Sequence, residues 1–150
     1  MNFNEARKII EFTKKVEGVV GDFANIAGVE AINHFTKNFR KQGFDDDGVK
    51  PWKPRKRDRK RNSGKAILVQ SGALRKSLIR RRAGKFAVYI MSPLKYANVH
   101  NSEMSSQRRA GRGKGFTMQQ RQFVGDSKKL NRIILRKLDN RINKAFEFKG

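Results

Sequence analysis

The chain has 150 residues, enough for one domain around one core, and its 36 Lys and Arg against 13 Asp and Glu give a formal charge of +23. It contains no Cys, which excludes disulfides, thiol catalysis and thiolate metal sites. No window approaches the roughly 18 apolar residues of a membrane span, and MNFNEARKIIEFTKKVEG lacks the apolar run of a secretory signal, so the expectation is a soluble protein made in the cytoplasm, without a membrane partner.

Residues Asn4–Glu17 read as a first helix, with Ile9, Ile10, Phe12 and Val16 along one stripe and Asn4 as its cap. Gly18 and Gly21 loosen the chain. A second helix is predicted over Asp22–Lys41, capped by Asp22, on the spacing of Phe23, Ile26, Ala27 or Val29, Ile32, Phe35 and Phe39. Gly43 stands where a positive φ would end it. Gly43–Lys65 reads as a loop, cationic and flexible over about 45–65, with Phe44 and Trp52 pinning its ends to the core. Ile67–Val69 is a short apolar run. Ser71 is placed as the cap of a brief helix holding Leu74, and Gly72 as a site of close packing. SLIRRRAGKFAVYIMS predicts a β-hairpin turning at Ala83-Gly84, with Phe86, Val88 and Ile90 on one face. Pro93 opens a short helix on which Tyr96 and His100, four apart, share a face. A second flexible basic loop covers about 102–115. TMQQRQFVG reads as a last strand anchored by Phe123 before Gly125 turns the chain. Asp126 or Ser127 then caps a helix running to about Phe148, with Leu130, Ile133, Ile134, Leu138, Ile142, Ala145 and Phe146 as its apolar stripe. The order predicts a single α+β domain over 1–150. In it a small antiparallel sheet, the hairpin plus one or two short strands, packs against two N-terminal helices and a long C-terminal helix, with two long basic loops.

The sequence offers little to catalysis. His34 reads as a boundary residue beside Phe35, and His100 has no Cys, Asp or second His near it in the chain. Asp45–Gly48, DDDG, lacks the alternating spacing of a calcium loop and reads as a solvated turn offsetting nearby Lys and Arg. GRGKG at Gly111–Gly115 lacks the Lys-Ser/Thr pair and helix of a phosphate loop. The expectation is no enzyme, no cofactor and no metal. The charge carries more information. In KPRKRDRKR, Lys53, Arg55, Lys56, Arg57, Arg59, Lys60 and Arg61 are cationic; Arg80, Arg81 and Arg82 join this run to Arg108, Arg109, Arg112 and Lys114. Such residues are candidates for contact with a polyanion or an acidic partner.

Five stretches then fall in order: HFTKNFRKQGF (His34–Phe44), GVKPWKPRKR (Gly48–Arg57), LVQSGALRKS (Leu68–Ser77), YANVHN (Tyr96–Asn101) and QRQFVGDS (Gln120–Ser127). They include Phe39, Gly43, Phe44, Trp52, Ser71, Gly72, Leu74, Tyr96, His100, Arg121, Phe123 and Gly125, all of which read as fold determinants. Together the stretches resemble the virion morphogenesis, or tail-completion, family of tailed bacteriophages, the group found in Mu-like phages and prophages. The resemblance covers about residues 34–145, with a shorter spacing between His100 and Arg121 and without the Gly-Gly pair that often follows His-Asn. It implies a structural virion protein of the head–tail neck, one that forms rings with itself, commonly sixfold, and meets neck or tail proteins with acidic faces or genomic DNA in the channel. The alternative reading is a stand-alone, non-specific nucleic-acid-binding protein.

Overall fold

The computed structural model describes residues 3–55, 64–84, 86–102 and 119–146. Its first element, α1 (Phe3–Lys41), is one unbroken helix of 39 residues, about 58 Å long. This corrects the two predicted N-terminal helices. A glycine inside a helix costs about 1 kcal/mol relative to alanine. Gly18 and Gly21 bear that cost because Val19 and Ala24, beside them, are buried. The Gly21 carbonyl also accepts a hydrogen bond from Arg82 Nη2 at 2.8 Å. Asp22, expected as a cap, lies mid-helix and pairs with Arg141 at 2.7 Å. The stripe expected to bury the first helix stays in solvent: Ile9, Ile10 and Phe12 are all exposed.

The segment read as a loop begins instead with a hairpin. Strand β1 (Gly43–Asp45) pairs antiparallel with β2 (Val49–Pro51), Phe44 opposite Lys50. Gln42, not Gly43, takes the positive φ, 54°, that ends α1. Gly43 is needed for close approach: a Cβ there would lie 2.4 Å from the Lys50 carbonyl oxygen. The short helix α2 (Ala73–Lys76) starts from Gly72 in the left-handed region at φ 72°. Positive φ, not close packing, is therefore what Gly72 supplies; Ser71 Oγ accepts the Ala73 N–H at 3.3 Å. The predicted hairpin is present as β3 (Ile79–Arg82) and β4 (Val88–Met91), Ile79 opposite Met91, and Gly84 sits in its turn. Val88 and Ile90 are half-buried, but Phe86 lies before the strand and is exposed. Helix α3 (Lys95–Asn101) begins two residues after Pro93.

Residues 119–125, expected as a strand, pair with no strand; Thr117 and Met118 lie outside the described residues. Ser127 then caps α4 (Lys128–Phe146), its Oγ accepting the Leu130 N–H at 3.2 Å. Helix α4 runs antiparallel along α1. Glu30 meets Lys137 at 3.6 Å, Asp22 meets Arg141, and the rings of Phe12 and Phe146 lie 5.5 Å apart. The predicted α4 stripe faces this seam, with Leu130 buried and Ile133, Ile134, Leu138 and Ile142 half-buried. The core gathers Phe35, Phe39, Phe44, Trp52, Leu74, Leu78, Ala97, Phe123 and Leu130. The fold is thus α+β, with two separate two-stranded antiparallel sheets and a C-terminal helix.

Continuity of α1 has a direct test. A Cβ at Gly18 or Gly21 would meet nothing within 4 Å. Gly18→Ala and Gly21→Ala should therefore each stabilise the protein by about 0.5–1 kcal/mol. Urea denaturation reads this; a loss of stability in both variants would mean the helix breaks there.

Candidate functional site

Gln119–Ser127 crosses the end of α1 as extended chain without a sheet, so its buried backbone groups need partners from elsewhere. Side chains supply most of them. Asn101 Oδ1, at the end of α3, accepts the N–H groups of Phe123 and Val124, both at 2.9 Å, and its Nδ2 donates to the Val124 carbonyl at 3.0 Å. Asn38, fully buried on α1, donates to the Phe123 carbonyl at 3.1 Å and accepts the Asp45 N–H at 3.2 Å. Trp52 Nε1 donates to the Gln122 carbonyl at 2.7 Å, and the Arg121 N–H donates to the His100 carbonyl at 2.7 Å. The Phe123 ring, so placed, stacks at 5.3 Å from Phe39, which meets Trp52 edge-on at 5.6 Å.

Asp45 closes the same region from the other side. Its carboxylate is buried and pairs with Lys41 and with Lys129 at 2.9 Å. Burial alone would raise its pKa; the hydrogen bonds and charges of Lys41 and Lys129 outweigh that and hold it below the usual carboxylate range. The Asp45 carbonyl accepts both Ser127 Oγ at 3.0 Å and His34 Nε2 at 2.8 Å. A carbonyl can only accept, so the His34 proton resides on Nε2. Asp46 Oδ1 accepts the Lys128 N–H at 2.8 Å, and Asp47 pairs with Arg132. DDDG is therefore a clasp on the start of α4, where the sequence reading had a solvated turn.

On the outer side of the threaded segment lies an open cleft of about 380 Å³. Tyr96, His100 and Arg121 line it together with Ser71, Leu74 and Arg55. Tyr96 and His100 share a face of α3 as predicted, ring centroids 6.2 Å apart. Arg121 is only 8% exposed; its Nε donates to the Lys53 carbonyl and Nη2 to Gln119 Oε1, both at 3.3 Å. Arg55 spans the cleft edge, bonding the carbonyls of Lys65 at 2.7 Å and Ala66 at 3.0 Å. His100 Nδ1 is buried without a hydrogen-bond partner among the described residues. Burial, and then the charge of Arg121, push the His100 pKa down.

With this arrangement in hand, comparison with known proteins is informative. The model of the phage virion morphogenesis family matches residues 22–143. The chain belongs to that family. Its role is accordingly that of a phage structural or assembly component. The match takes in the clasp, the threaded segment and the cleft, and leaves out the first half of α1. Neither the curated proteins nor the solved structures searched contain a match.

Of the motif residues in this virion morphogenesis protein, Phe39, Phe44, Trp52, Leu74 and Phe123 are core, as predicted. Gly125 lies at the bend after Val124, beneath the Phe44 ring edge. Ser71, Tyr96, His100 and Arg121 come together at the cleft. The cationic candidates do not form one strip. Lys53 and Arg55 stand near the C-terminal end of α1, whereas Arg80 donates to Asn25 at 2.7 Å and Arg82 to Gly21. That is about 17–21 residues, or roughly 25–30 Å, back along the helix from Gln42. Arg81 points to the opposite strand face and is exposed. Lys56, Arg57, Arg59, Lys60, Arg61, Arg108, Arg109, Arg112 and Lys114 lie outside the described residues. Asn38, Asn101, Asp45 and Gln42 were missed as functional supports. Asn38, Gln42 and Asn101 sit inside recognised motifs and Asp45 directly follows one, but the partner of an amide or a carboxylate is invisible without the fold.

Two outcomes follow. Asn38→Ala removes two hydrogen bonds from a site with no water access and should cost about 2–4 kcal/mol, read by urea denaturation. Stability should also fall with acid in two windows. His34 and His100 both have pKa values lowered from 6.5 by burial, so below about pH 6.5 the unfolded chain binds protons that the folded one refuses. The lowered Asp45 pKa places a second loss below about pH 3.8. His34→Gln, which keeps a donor for the Asp45 carbonyl, should flatten the first window; an unchanged slope between pH 7 and 5 would rule out His34 as its source.

Proposed function

We propose that this protein is a structural subunit of the phage head–tail junction, a tail-completion or neck component that assembles with itself into a ring and with acidic neck or tail partners. It acts by surface complementarity, without turnover or cofactor. The observation that carries this reading is the match to the virion morphogenesis family over residues 22–143, on a chain of net charge +23. Trp52, Asn101 and Ser127, all within the motifs, spend side-chain hydrogen bonds on holding backbone, as a structural subunit requires. No described helix is long and apolar enough to cross a membrane.

A chain of this charge repels copies of itself, so a ring needs counter-charge from partners or DNA. The same charge favours a second reading, a stand-alone protein that binds nucleic acid non-specifically through phosphate contacts. Light scattering of the purified protein at low and high salt, with and without duplex DNA, separates the two. The assembly reading expects a ring-sized mass, or a monomer that ignores DNA at moderate salt. A monomer that binds any duplex tightly and releases it steeply as salt rises would replace that reading with the second.

A further inference from the structure

We infer that the cleft formed by α2, α3 and the start of the threaded segment is a receptor for an acidic side chain of a partner protein, flanked by apolar residues, with Arg121 as the ion pair it meets. This deepens the assembly reading, and rests on it for its biological setting, by giving the partner contact a place and a chemistry.

The first argument is charge. Arg121 is nine-tenths buried, yet no ion pair among the described residues includes it. Burying a guanidinium without a counter-charge is unfavourable, and the group is retained here facing a second cation, Arg55, across the same cleft. A guanidinium has five N–H donors; two described bonds, to Lys53 and Gln119, leave others unspent. None of the described residues lining the cleft is acidic.

The second argument is shape. Ile67, Leu68 and Leu74 give the cleft an apolar wall. That wall is held in an unfavourable geometry: Leu68 has φ 60°, in the left-handed region that a leucine rarely adopts. Gln42 fixes the preceding residue from both sides, accepting the Ile67 N–H at 2.5 Å and donating to its carbonyl at 3.2 Å. Local strain maintained by neighbouring bonds is characteristic of binding sites. The third argument is the buried, unpartnered Nδ1 of His100 on the same lining.

A carboxylate fits these features better than a nucleic-acid phosphate. A carboxylate on a two- or three-carbon stem can reach a guanidinium that is only 8% exposed and meet it in a planar, bidentate pair, while its apolar neighbours cover the leucines. A phosphate on a duplex is held at the surface of a wide cylinder and carries nothing apolar for the wall.

The test is an NMR titration of the intact protein with the capped peptide acetyl-Leu-Glu-Leu-Glu-Leu-amide and its Gln counterpart. The Glu peptide should shift the His100 ring and Arg121 side-chain signals, and bind at least about tenfold more tightly than the Gln peptide. Arg121→Gln should abolish binding, but Arg121 also holds the Lys53 backbone and the variant can lose its fold. Tyr96→Glu avoids that problem: Tyr96 is exposed at the cleft, and a carboxylate there should compete with the peptide, weakening it about tenfold with thermal stability unchanged. Equal binding of the two peptides, no binding, or a twelve-base-pair duplex shifting the same signals at lower concentration would each overturn the inference. Ring formation is read separately by mass, so a ring that ignores the peptide removes the receptor and leaves the assembly reading standing.

Discussion

Everything in this structure depends on a stretch of extended chain that crosses the core without a sheet to join. Residues 119–127 bring Phe123 into the core and Arg121 to the cleft, and their backbone groups must be satisfied where water does not reach. A neighbouring strand would do this with generic ladder bonds. Here it is done by Asn38, Asn101 and Trp52, each from a different part of the chain. A ladder tolerates almost any side chain, whereas this arrangement requires particular ones. That explains why amides and an indole, rather than an alternating apolar strand, surround this segment in the present chain.

Charge is distributed with the same economy. Five of the 13 acids of this strongly cationic chain fasten α4: Asp45, Asp46 and Asp47 hold its first turns, Glu30 and Asp22 its middle and far end. The N-terminal third of α1 leaves Ile9, Ile10 and Phe12 exposed, with Phe12 still in ring contact with Phe146.

The sequence was legible where one periodicity dominates. The long amphipathic stripe from Phe23 to Phe39, the hairpin around Ala83-Gly84 and the Ser127-capped α4 were all readable, because local pattern and tertiary packing agree there. It was misread where glycine carries two meanings. Gly18 and Gly21 looked like a break, but the seam with α4 and the Arg82 bond keep the helix running; Gly43 looked like a helix stop, but close backbone approach in the first hairpin is its real demand. The expected last strand was an error of another kind: QFVG has strand-like residues, and nothing local reveals that its partners are side chains. The cleft was half legible. Ser71, Tyr96, His100 and Arg121 could be named from motifs, but that they share one wall is a property of the fold alone.

The antiparallel pairing of α1 and α4 has a practical consequence for handling the protein. Because the rings of Phe12 and Phe146 touch, the two ends of the described chain lie at one pole of the molecule. Gln42, which braces the wall of the cleft, lies 30 residues further along, about 45 Å away by helical rise. A fluorophore placed on exposed Lys8 or Lys144 would thus stand at the far pole, leaving the wall of the cleft open to solution.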